Sequence, residues 1–288
     1  MGADFLRPGS KLEATPTGRA SQKGFAAQYP KLDMGNSTQF RTAVRNIQTV
    51  HDIASPEVHQ RGREWYPKVH EAIAKGVRGT STSPEHGAGI VAAISPQMDW
   101  SGRNLPALGS LHKLKSEDWS VIHKSAEGGR RTPEADALLK GTPLVHAQDK
   151  ALVRAHRMMQ GEHPEDVLPR QTSPKTNSFF HNIAYPDKPT HVTIDYRAHD
   201  IAANKMYPAA FSGRGLDTAA LKSGQPTRYE HFENAYRTAA KGRDIELPHH
   251  LQAITWEAGK HIETSAPTKS GKPRVKGITR KGQPYVGA

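Results

Sequence analysis

The stretch Ser83-Pro84-Glu85-His86-Gly87-Ala88-Gly89-Ile90-Val91-Ala92-Ala93-Ile94-Ser95-Pro96 decides the fold class. A serine before Pro-Glu is a helix start. The serine caps, the proline has no N–H to lose in the first turn, and the acid faces the positive end of the helix dipole. From Gly87 to Ile94 the residues are small or apolar on every side, which predicts a buried helix stopped by the Ser-Pro break. Similar starts stand at Ser55-Pro56-Glu57 and Thr132-Pro133-Glu134.

Working outward, helical patterns cover 38–53, 55–75, 104–114, 132–141, 147–160, 174–184, 195–206, 229–241 and 248–262. Only His191-Val192-Thr193-Ile194 reads as briefly extended. The expectation is an all-α domain over 37–265. Residues 1–36, rich in Gly, Ser, Thr, Pro and Lys without periodicity, read as a flexible arm. Residues 266–288 carry six Lys or Arg and no acid, a basic tail in which Lys272, Arg274 and Lys276 are candidate phosphate contacts; a solvated tail without function is the plainer alternative.

The formal charge of +12 over 288 residues favours a polyanionic partner, nucleic acid first. The absence of cysteine excludes disulfides, iron–sulfur clusters and thiolate zinc sites, and fits a cytoplasmic protein. No run approaches the roughly 18 apolar residues of a membrane span, and the N-terminus does not read as a secretory signal. Phosphate-loop, dinucleotide-binding, HExxH and GxSxG motifs are missing, and the sixteen histidines lack strong zinc spacing, so neither a metal nor a cofactor is expected.

Two segments stand out together. The first is Ala92-Ala93-Ile94-Ser95-Pro96-Gln97-Met98-Asp99-Trp100, followed by Arg103-Asn104: an apolar helix breaks and leaves an amide at its tip. The second is Pro174-Lys175-Thr176-Asn177-Ser178, where a lysine opens a helix. Twenty residues later Val192-Thr193-Ile194-Asp195-Tyr196-Arg197 brings an aspartate to the start of the next.

This pair resembles the helix-hairpin-helix DNA glycosylase superfamily. In that family an early helix carries a Leu-Ser-x-Gln motif, matched by Ile94-Ser95-Pro96-Gln97, and the next helix often an Asn, matched by Asn104. A hairpin then ends in Lys-Thr, matched by Lys175-Thr176, and a later helix opens on an Asp motif, matched by Ile194-Asp195-Tyr196-Arg197. The match spans about 84–207. It departs at Val167-Leu168-Pro169-Arg170-Gln171-Thr172-Ser173-Pro174, where hairpin glycines are expected. The chain also looks like proteins encoded by phages of actinobacteria, which would place it in the host bacterial cytoplasm. Phage relatives of this fold are proposed to act in thymine hypermodification.

The resemblance implies duplex DNA as partner, with a base flipped out. Asp195 would stabilise the oxocarbenium-like sugar as an N-glycosidic bond breaks; a plain helix N-cap explains the same residue. Lys175 would attack C1′ and form a Schiff base, or simply bind phosphate. Gln97 would fill the gap left by the flipped base, or cap a helix. Trp100, Trp65, Tyr66 and Tyr196 are stacking candidates or core aromatics. Arg103, Arg170 and Arg197 are candidate phosphate contacts, with Asn104 and Thr176 beside them. Two further readings stay open: a DNA-binding protein without catalysis, and a base-hypermodification enzyme.

Overall fold

The structure is a computed structural model that describes residues 33–96, 103–204, 216, 226–262, 264–265 and 274–275. It is all-α, apart from a two-residue antiparallel pair, β1 (Thr264–Ser265) with β2 (Arg274–Val275). The chain divides into two compact units, Met1–Trp65 with Asp187–Ala288, and Tyr66–Pro186. The sequence reading gave one helical domain over 37–265. The second unit is inserted in the first, and the chain crosses between them inside a helix, α2 (Pro56–Gly76), where no linker composition marks the boundary.

In the inserted unit, α3 (Pro84–Ile94) is the buried helix expected from its sequence; every residue from Gly87 to Ile94 is buried. Ser83 caps it, its side chain accepting from the His86 N–H. Two glycines allow the close packing. A Cβ on Gly87 would lie 2.7 Å from Ile73, and one on Gly89 2.7 Å from Met158. Around α3 follow α4 (Leu105–Leu111), α5 (Ser116–Glu127), α6 (Pro133–Leu139), a 3-10 turn (Pro143–His146), α7 (Asp149–Met159), the one-turn α8 (Pro164–Val167) and α9 (Pro174–Ala184). The sequence reading missed α5, although Trp119, Ile122 and Ala126 line its buried face at helical spacing. On its outer edge His156 stacks flat on Trp119 with centroids 4.1 Å apart, and its Nδ1 lies 2.9 Å from His123 Nε2.

The first unit holds α1 (Ser37–Ile53), the start of α2, α10 (Tyr196–Ala203), α11 (Arg228–Lys241) and α12 (Pro248–Ile262). Its core joins Ile47 and Val50 of α1, Val58 of α2, Phe232 and Tyr236 of α11, and Leu251 and Ile254 of α12. Residues 191–194 form no strand. Their backbone is held by side chains instead: Ile194 N–H donates to the Tyr229 hydroxyl (2.9 Å), that hydroxyl donates to Val192 C=O (3.0 Å), and Val192 N–H donates to Glu233 (3.2 Å). Asn204 ends α10 in the left-handed region at φ 53°, a conformation asparagine tolerates.

Two glycine variants of opposite sign test this packing. A Cβ at Gly62 would sit 2.5 Å from the Ile254 backbone, so Gly62→Ala lowers unfolding free energy by about 1–3 kcal/mol in urea titration. Gly109 is exposed within α4 with nothing near its missing Cβ, so Gly109→Ala raises it by up to about 1 kcal/mol. A third test concerns pH. Burial lowers the imidazole pKa of His59, His112, His156, His181 and His250 below 6.5. The fold therefore favours their neutral forms, and their contribution is complete above pH 6.5 and lost as pH falls below it. Thermal scans should show Tm dropping between pH 7.5 and 5.5, and dropping less in His156→Asn.

Candidate functional site

Asp195 sits where the held segment 192–194 turns into α10. Its Oδ1 accepts from the Ala198 N–H (2.8 Å), as an N-cap does, and its Oδ2 accepts from the Trp256 indole N–H (3.0 Å). Both carboxylate oxygens thus have donors, one from the helix they start and one from α12. Further along, the Tyr236 hydroxyl donates to Ala198 C=O (3.1 Å) and Asn46 donates to Ala202 C=O (2.9 Å). Burial holds the Tyr236 phenol well above its ordinary pKa, so it remains a neutral donor.

Trp256 gathers the rest of the cluster. The Arg197 guanidinium lies 4.8 Å from its ring centroid and the Lys260 ammonium 4.1 Å, both within cation–π range. Trp65 approaches with centroids 6.3 Å apart. Gly259 makes room, since a Cβ there would press on the Arg197 stem at 3.1 Å. Glu257 accepts from Lys260 at 2.6 Å and lies 3.8 Å from Arg61. Tyr196, 43% exposed, is the one large hydrophobic residue that is exposed among the described residues, and the Arg197 guanidinium lies 5.7 Å from its ring. The cluster combines a carboxylate, an exposed aromatic face and cations stacked on an indole.

Arg197, a candidate phosphate contact from the sequence, is 6% exposed, with its guanidinium over the rings of Trp256 and Tyr196. Tyr66 is buried and belongs to packing, edge-on to Phe179. Trp256 and Lys260 were missed as site residues because their helix reads as ordinary packing; their i,i+4 spacing, an indole and an ammonium on one face, was the available signal.

In the inserted unit, Lys175 is exposed in the first turn of α9 and Thr176 is half-buried. The preceding turn is closed by Pro169 C=O, which accepts from Thr172 N–H (3.1 Å) and Ser173 N–H (2.9 Å), and Asn177 donates to Leu168 C=O (2.9 Å). No residue from 167 to 174 takes a positive φ, so this turn needs none of the glycines the sequence lacks. Half-buried Arg170 donates to the Ser178 hydroxyl at 3.3 Å. Arg103 is half-buried and Asn104 is 3% exposed, just before α4. Gln97, Trp100, Lys272 and Lys276 lie outside the described residues; Arg274 belongs to β2. Lys175 and Asp195 therefore belong to different units.

Among the described residues no three His, Asp or Glu side chains are grouped to hold a metal ion, and no helix is long and apolar enough to cross a membrane. No curated protein and no solved structure matches the chain. Residues 30–264 match DUF7178, a family of unknown function, and the chain belongs to that family.

Proposed function

We propose that the chain binds DNA and acts on a base in it by cleaving the N-glycosidic bond, with Asp195 as the carboxylate beside the sugar. The observation that carries this reading is the cluster of the Asp195 carboxylate, exposed Tyr196, and the Arg197 and Lys260 cations on Trp256. The formal charge of +12 supports a polyanionic partner. As the base leaves, positive charge grows on the sugar, and a carboxylate fixed by two donors stabilises it without reorganising. Water adds to C1′ and the base departs with a proton. Lyase activity rests separately on the exposed Lys175 of the inserted unit: its neutral amine adds to the C1′ aldehyde of an abasic site, water leaves, and the iminium that remains is what borohydride reduces. Tyr196 offers the face on which a base stacks.

A second reading, DNA binding without catalysis, is favoured by one observation. Both oxygens of Asp195 already serve the fold, as helix cap and as indole acceptor.

Asp195→Asn separates the two readings. Asparagine keeps one oxygen to accept from the Ala198 N–H, which leaves its N–H₂ donor facing the indole N–H donor, so about 1–2 kcal/mol of stability goes in either reading. Under the catalytic reading, base release from duplexes bearing modified bases disappears while DNA affinity stays within two-fold. Release that persists in Asp195→Asn excludes Asp195 from the chemistry. Borohydride reduction should trap a covalent adduct on abasic DNA that is lost in Lys175→Ala. Salt-sensitive binding with neither release nor adduct from the unaltered protein supports the non-catalytic reading. In either case Tyr196→Ala should weaken binding about 5- to 150-fold if a base stacks there, read by fluorescence anisotropy.

A further inference from the structure

The inserted unit carries a cavity of about 500 Å³ between the end of α5 and the start of α7. That volume suits a nucleotide-sized molecule. Its floor is a fixed polar network. Asp149, buried at the first position of α7, accepts from the Ser125 hydroxyl (2.5 Å) and from Arg131 Nε (2.7 Å). Arg131 also donates to Val145 C=O (2.6 Å) and to Ala147 C=O, and Ser125 Oγ accepts from the Thr132 N–H (2.9 Å). The only acid lining the cavity is therefore already neutralised by the cation beside it.

Two further cations line the same space. Arg130 and Lys150 are exposed, and neither has an ion-pair partner among the described residues. Gly129, at φ 70°, turns the chain out of α5 into Arg130. The eleven-residue α7 starts at the cavity, and its N-cap Gln148 makes no side-chain cap bond, so the positive end of the helix dipole adds to the same field. The cavity thus has a rigid neutral floor, two uncompensated cations and a helix start, all of one sign.

We propose that this cavity binds a phosphate group, with Arg130 and Lys150 as its charged contacts. The phosphate comes either from a nucleotide of bound DNA or from a free phosphate-bearing small molecule. The site shares no residue with the Asp195 cluster and stands or falls without it.

The test compares Arg130→Ala/Lys150→Ala with Lys113→Ala/Lys140→Ala, a pair of equal charge change at exposed positions of the same unit that do not line the cavity. Far-UV circular dichroism and Tm should match the unaltered protein in both. Binding is measured calorimetrically for pyrophosphate and by anisotropy for a 20-base-pair duplex over a salt series. A loss of ten-fold or more confined to the cavity pair supports the site. If the selective loss is in duplex affinity, with a salt slope smaller by about two, DNA supplies the phosphate. If pyrophosphate binding falls and duplex binding does not, the ligand is a free small molecule. Equal losses in both pairs, or no selective loss for either probe, overturns the proposal.

Discussion

The hydroxyl of Tyr229 is the interaction on which the first unit's candidate site depends. It accepts from Ile194 N–H and donates to Val192 C=O, closing a stretch of buried backbone that has no strand partner. Buried backbone polar groups left unpaired would be costly, so a segment entering a helical core must find donors and acceptors on side chains. Tyr229 and Glu233, one turn apart on α11, supply them. With Val192 and Ile194 anchored and buried, Asp195 emerges at a fixed point with α10 ahead of it and Trp256 in reach. The position of the carboxylate is thus set by α11 before it is set by α10.

In the inserted unit the governing constraint is steric. A helix of small residues is buried along its length, and its glycines bring neighbours closer than a Cβ would allow. This was legible in the sequence because the signal is local: a cap, a proline, an acid, then eight small or apolar residues. The helix starts at Pro56, Pro84, Pro133 and Pro174 were legible for the same reason, each being written within three or four residues.

What the sequence did not yield depends on partners far along the chain. The extended reading of 191–194 describes a segment with no strand partner, because its hydrogen bonds come from residues about 40 positions later. Trp256 looked like core packing until Asp195, 61 residues earlier, proved to accept from its indole. The Asp149–Arg131 pair spans 18 residues and joins a turn to a helix start, so neither residue signals the other in the sequence. The boundary between the units falls inside α2, and helix periodicity continues across it. The omission of α5 differs in kind: its apolar spacing was present, but it opens at Lys115 without a Ser-Pro or Thr-Pro signal. Its cap is made by Asp118 reaching back to the Lys115 N–H at 2.9 Å.

The two roles open for Asp195 are physically compatible. A carboxylate that caps a helix is held in one rotamer by that cap, and a second donor on its other oxygen fixes the plane of the group. Each oxygen has two lone-pair directions, so accepting one hydrogen bond apiece leaves acceptor capacity on both. A carboxylate that stabilises growing positive charge needs to be oriented and resistant to displacement, which is what the Ala198 and Trp256 donors provide. Under the proposed function, holding a carboxylate in one orientation is therefore the role this geometry favours for Asp195, and the helix cap supplies it rather than competing with it.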